Sequence, residues 1–123
     1  MKKAVVVLGA SPKANRYSNM AVKQLKSNGY RVIPVNPVHS VVEGLETVSS
    51  LSDINESVHT LTLYLSPVWS ERIEADIINL KPERVIFNPG TESSKLRESL
   101  SNSGIPYLEA CTLVMLGTGQ FNN

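Results

Sequence analysis

Ala4-Val5-Val6-Val7-Leu8, running into Gly9-Ala10-Ser11-Pro12-Lys13-Ala14-Asn15-Arg16-Tyr17-Ser18, is the stretch that decides the fold. A short apolar run enters a loop holding one glycine and two cations. A helical pattern over residues 19–28 follows, with Met20, Ala21 and Leu25 on one face and Ser18 expected as its N-cap. Gly29-Tyr30 then leads into a second apolar run, Val32-Ile33-Pro34-Val35-Asn36-Pro37. The order strand, loop, helix, turn, strand places a loop and a helix N-terminus at one edge of a parallel sheet. Backbone N–H groups are unpaired there and point outward, which suits a phosphate.

Outward from this unit, apolar runs recur at residues 61–65, 85–87 and 107–108. They are brief and lack strict alternation, as expected of strands covered on both faces. Val68, Trp69, Ile73, Ile77 and Leu80 predict one helix after Pro67, which suits a first turn. At that spacing Trp69 is expected in the core. Leu96 and Leu100 predict another helix, closed by Gly104. Alternating strands and helices predict an α/β fold with a mainly parallel sheet of about five strands. Residues 38–57 break the pattern. They are rich in serine, and only a short strand near Thr47-Val48 and a turn near residues 51–54 are expected. The tail from Thr118 to Asn123 is expected to be loosely held.

The chain has 123 residues, 41% of them hydrophobic and 19% charged, which predicts one domain over residues 1–123 with a core of its own. The net charge of +1 argues against a nucleic-acid footprint. A single cysteine, Cys111, rules out an internal disulfide or a multi-cysteine metal centre, and no metal ligand pattern surrounds His39 or His59. Met1-Lys2-Lys3 precedes only five apolar residues before Gly9, too few for a signal peptide, and no run reaches membrane-spanning length. A cytoplasmic location is the expectation.

Ligands of open parallel sheets sit beyond the carboxyl ends of the strands. The loops there include residues 9–18, Asn36-Pro37, Ser66-Pro67, Asn88-Pro89-Gly90-Thr91-Glu92 and Cys111-Thr112. They hold no histidine and a single acid, Glu92, which is read as capping the next helix. This is a binding edge with little acid–base equipment. Gly9 serves either a tight turn or a close approach of backbone to ligand. Lys13 and Arg16 can pair with phosphates. The acid that usually ends the second strand of dinucleotide sites is replaced by Asn36, and the loop lacks Gly-x-Gly-x-x-Gly, which disfavours NAD. Asn36 can still bond a ribose or a base edge. Cys111 is either a thiol near the ligand or an inert buried residue. Its flanks, Glu109-Ala110 and Thr112-Leu113, supply no positive charge and favour the second.

Gly9-Ala10-Ser11-Pro12, Tyr17-Ser18 and the run from Gly29 to Pro37 resemble the small single-domain CoA-binding proteins, themselves similar to the CoA-binding domain of succinyl-CoA synthetase. The likeness continues through Gly44, Ser50-Leu51-Ser52-Asp53-Ile54, Phe87-Asn88-Pro89-Gly90-Thr91-Glu92 and Ala110-Cys111-Thr112, nearly the whole chain. The resemblance implies a Rossmann-like, doubly wound, three-layer α/β/α fold and coenzyme A or an acyl-CoA as ligand. By position, Gly9, Ser11, Pro12, Lys13, Arg16, Tyr17 and Ser18 would surround the phosphates. Asn36 and Pro37 would flank the adenosine, with Ser66 nearby, and Asn88 and Gly90 would lie on the same edge. Larger acyl-CoA ligases add domains carrying a phosphorylated histidine. No room for these exists in 123 residues, so their catalysis does not carry over, and a non-catalytic binding or regulatory module is expected. The rivals are a small acyl-transfer or thioester-handling enzyme using Cys111, and an NAD- or nucleotide-responsive regulator.

Overall fold

The computed structural model describes residues 3–122; Met1, Lys2 and Asn123, at the ends of the segments read above as no signal peptide and as a loose tail, lie outside them. The elements run β1 (Ala4–Leu8), α1 (Tyr17–Ser27), β2 (Arg31–Val35), β3 (Val41–Val42), β4 (Leu45–Glu46), a 3₁₀ turn (Leu51–Asp53), β5 (Thr60–Leu63), α2 (Pro67–Arg72), α3 (Glu74–Leu80), β6 (Arg84–Phe87), α4 (Ser94–Asn102), β7 (Tyr107–Glu109) and α5 (Thr112–Gly117). Five strands form one parallel sheet in the order β2-β1-β5-β6-β7, with Leu8 level with both Val35 and Leu63. The chain winds one way from β1 to β2, then crosses over β1 to β5. The switch point, where loops diverge and leave a crevice, therefore lies between β1 and β5.

Alternation along β1 divides the core. Val6 and Leu8 pack with Leu61, Leu63, Phe87, Ile77, Leu96 and Leu100 on the side of α3 and α4. Val5 and Val7 face Val22, Leu25, Ile86, Met115 and Phe121 on the side of α1 and α5. All five residues of β1 are buried, as a central parallel strand requires. This is the Rossmann-like three-layer α/β/α arrangement. Pro34 is tolerated because β2 is an edge strand; its carbonyl accepts from Val48 N–H at 2.9 Å, and no N–H is needed there.

Several sequence expectations are corrected. Arg16, not Ser18, is the N-cap of α1, and it provides no side-chain cap; Ser18 is buried in the first turn. The single helix expected after Pro67 is two helices meeting at Ile73, with Pro67 in the first turn of α2. The crossover carries an unexpected hairpin, β3–β4, whose turn places Glu43 and Gly44 at φ 51° and 77°. The expected strand near Val48 shrinks to one bridge with Val35. Helix α5 was not anticipated. The tail is anchored rather than loose: Phe121 is buried, edge-on to Tyr30 with ring centroids 5.2 Å apart, under the Arg84 guanidinium, which donates to its carbonyl at 2.6 Å. None of the helices among the described residues is long and apolar enough to cross a membrane.

Candidate functional site

The loop between β1 and α1 leaves the sheet at Gly9, whose φ is +92°. A Cβ there would sit 3.1 Å from the Tyr64 carbonyl carbon and oxygen and 3.0 Å from Leu65 Cδ2. The close approach that demands glycine is thus to the chain's own backbone where β5 ends. This contact brings the two strands at the switch point together at their carboxyl ends. Beyond Gly9, Ser11 Oγ accepts from Lys13 N–H at 3.1 Å and Arg16 N–H bonds to Lys13 O, which folds the loop back on itself. Pro12, Lys13, Arg16 and Tyr17 are exposed. Among the described residues neither Lys13 nor Arg16 has a side-chain partner, so both cations are available to an anion at the α1 N-terminus.

Beside this loop lies a cavity of about 420 Å³. Leu8, Gly9, Val35 and Pro37 form its walls toward the ends of β1 and β2, and Leu65, Trp69 and Ile73 those toward the end of β5 and α2. Ser49, Ser50 and Asp76 are its polar lining side chains. The cavity and the loop share Gly9, so one ligand can place an apolar ring in the cavity and an anionic group at the loop. Trp69, expected in the core, is 56% exposed and forms this wall, with the Arg72 guanidinium 4.8 Å above its ring. The helical spacing of Trp69 and Ile73 is real, but the face they share borders the cavity. Sequence reasoning missed the cavity because it draws on four separated segments.

The remaining residues singled out from sequence fall into two groups. Pro37 lines the cavity and Ser66, exposed at the start of α2, stands next to Leu65 and Pro67 on the same edge. The amides are occupied by the fold. Asn36 donates to Ala10 O at 2.8 Å and accepts from Val38 and His39 N–H at 2.7 and 2.8 Å, tying the exit of β2 to the loop after β1. Asn88 is buried and bonded to Thr62 Oγ1, Leu63 O and Thr112 N–H. Gly90 is exposed, and its N–H bonds the Glu92 carboxylate at 3.0 Å; the cap of α4 is Ser93, which accepts from Leu96 N–H.

Cys111 is half-buried and forms the N-cap of α5 on this edge. Near it lies the buried Tyr64 hydroxyl. Burial pushes that phenol up to about 12, and the Thr62 and Thr112 hydroxyls oppose it in part. A phenol held neutral this firmly is no proton acceptor at ordinary pH. Of the two histidines, His39 is exposed just beyond the exit of β2 on this edge, with its backbone N–H on Asn36 Oδ1, and His59 lies at the opposite end of the strands, where its backbone N–H bonds Ala4 O.

A family model described as a CoA binding domain matches residues 3–117. A curated relative, an uncharacterized protein YneT of Bacillus subtilis (strain 168), is 33% identical over 79 residues. That match spans 60% of this chain and 58% of the relative. Among solved structures, one described as an uncharacterized protein superposes with a TM-score of 0.92 at 43% identity, covering 98% of this chain and 99% of the other. A Thermus thermophilus structure described as cell-free ID.343 gives 0.89 at 29%, over 98% and 91%. A dinucleotide-forming acetyl-coenzyme A synthetase 1 of Ca. Korarchaeum cryptofilum, in complex with phosphate and ADP, shares the fold, with a TM-score of 0.75 at 19% identity over 88% of this chain and 25% of that one. On the match over residues 3–117, the chain belongs to the family of CoA-binding domains.

Proposed function

We propose that residues 1–123 act as one domain that binds coenzyme A or an acyl-CoA and does not by itself catalyse a reaction. The observation that carries this reading is that the cavity and the loop meet at Gly9. An uncapped α1 N-terminus with two partnerless cations opens beside an apolar cavity large enough for an aromatic base. In this reading the diphosphate lies over Ser11, Pro12, Lys13, Arg16, Tyr17 and the first-turn N–H groups around Ser18. The adenine enters between Pro37, Leu65 and Trp69, with Ser66 at the rim. Asn36, Asn88 and Gly90 act through the loops they hold. The thioester end then extends over the edge.

A ligand panel tests this. Coenzyme A and acetyl-CoA are expected to raise the melting temperature more than NAD, FAD or ATP at equal concentration, because a ligand that binds only the native state stabilises it. NAD stabilising as strongly as coenzyme A would overturn the assignment. The position of Cys111 at the N-cap of α5 keeps the thioester-handling enzyme as a second reading, since a thiolate is favoured at a helix N-terminus. Cys111→Ser separates the two. Unchanged coenzyme A affinity and slow iodoacetamide labelling of the native protein fit the binding module. Thioester hydrolysis that disappears in Cys111→Ser would promote the enzyme.

A further inference from the structure

We propose that Glu43, at the tip of the β3–β4 hairpin, and Asn19, in the first turn of α1, form a brace that sets the conformation of the phosphate-facing loop and thereby its affinity for phosphorylated ligands. The proposal rests on the reading of residues 9–18 as the phosphate site and adds a hairpin that controls it. Asn19 is fully buried, and its Nδ2 donates twice: to the Ser11 carbonyl at 2.9 Å and to Glu43 Oε2 at 2.9 Å. Both partners are pure acceptors, so the orientation of the amide is settled by its neighbours. One side-chain nitrogen therefore joins the centre of the loop to the tip of a hairpin 24 residues further along the chain.

The arrangement is held against two local penalties. Among the described residues Asn19 Oδ1 is buried with no donor, an unfavourable state for a carbonyl oxygen. Glu43 occupies the left-handed region at φ 51°, where a residue with a side chain is uncommon. Asparagine or glycine would sit there with less strain, but neither carries a carboxylate that reaches Asn19. Lysines from α1 steady the tip: Lys26 Nζ donates to Glu43 O at 2.8 Å, and Lys23 Nζ lies 3.9 Å from Glu43 Oε2. Helix, loop and hairpin thus meet at one amide nitrogen, Asn19 Nδ2. An orphaned acceptor and a strained backbone at the same junction mark a place where geometry is imposed by the surrounding structure. Glu43 and Asn19 are positioning residues, since their reach to a ligand is through Ser11.

The test uses Glu43, which lies at the surface-facing tip, rather than the buried Asn19. Glu43→Gln keeps an oxygen that accepts from Asn19, and Glu43→Ala removes it. In the free protein, Glu43→Ala is expected to speed amide hydrogen exchange across residues 10–16 by about fivefold or more, while the amides of β5 and β6 are unchanged and Glu43→Gln stays near wild type. Loop exchange in Glu43→Ala equal to wild type would overturn the brace, whatever the ligand proves to be. Calorimetry supplies the second readout. Coenzyme A affinity is expected to fall about fivefold to tenfold in Glu43→Ala and to recover in Glu43→Gln, with adenosine, which carries no phosphate, bound equally by all three proteins. Equal losses for coenzyme A and adenosine would make the residue merely structural and overturn the proposal. A wild-type protein that ignores coenzyme A would refute the ligand assignment, while the exchange measurement still decides the brace.

Discussion

Asn88, just beyond β6, accepts a hydrogen bond on Oδ1 from the backbone N–H of Thr112, the first residue of α5, at 2.9 Å. The same amide donates to Thr62 Oγ1 at 2.7 Å and Leu63 O at 2.9 Å, and Thr62 and Thr112 join their hydroxyls at 2.7 Å. One buried side chain therefore fixes the exits of β5 and β6 and the start of α5. Truncation leaves a buried N–H and a buried carbonyl without partners. Asn88→Ala is expected to destabilise the fold by about 2–3 kcal/mol, seen as a lower urea midpoint at unchanged slope.

Gly9→Ala combines an unfavourable φ with a Cβ only 3.1 Å from backbone at Tyr64. A loss of about 1–3 kcal/mol is expected. Because the displaced atoms belong to the end of β5, coenzyme A affinity is expected to fall as well. A melt combined with calorimetry on the same variant checks both.

Trp69 is the only tryptophan of the chain, so its emission reports on the cavity without a label. Adenosine alone is expected to alter that emission, and Trp69→Ala to weaken coenzyme A by about tenfold, the usual equivalent of 1.4 kcal/mol. Inorganic diphosphate, which has no ring to insert, is expected to leave the fluorescence nearly unchanged.

Replacing Lys13 and Arg16 together by Ala is expected to weaken coenzyme A by about tenfold at low salt and to flatten the dependence of affinity on ionic strength. Adenosine is the control, since it carries no charge for these residues to meet. Calorimetry at two salt concentrations distinguishes a specific loss from a general one.

His59 titrates below its ordinary value of 6.5, chiefly because of burial and then because of the nearby Lys3 and Arg84 charges, with Glu83 opposing. A histidine whose folded value is depressed binds protons more weakly in the folded state than in the unfolded one. Its contribution is present above about 6.5 and is lost as pH falls toward the folded value. His59→Gln is expected to flatten that part of the pH dependence of the unfolding midpoint, measured by urea titration from pH 7 to pH 5.

The sheet strands were legible because each contains a short apolar run, and their parallel direction followed from the helices between them. The position of the loop over residues 9–16 was legible for the same reason, as it directly follows β1. The hairpin was not: its strands are two residues each, and Glu43-Gly44 lacks the Asn-Gly or Asp-Gly signature of a tight turn. The break at Ile73 was hidden because apolar spacing continues across it. The anchoring of Phe121 was hidden by the glycine and asparagine around it; its partners, Tyr30 and Arg84, are distant in sequence. Leu8, Val35, Leu65, Trp69 and Ile73 look like ordinary core positions until four chain segments converge on the cavity.

Arg84 and Thr60 open their strands, so the Phe121 anchor lies at the end of the sheet away from Gly9. Strands of four and five residues separate the two ends by roughly 15 Å. A fluorophore or surface tether attached beyond Asn122 would therefore leave from the pole opposite Gly9 and the crevice beside it. Immobilising the protein by that end would present the crevice to solution, while shortening the chain before Phe121 would unplug the core rather than trim an idle tail.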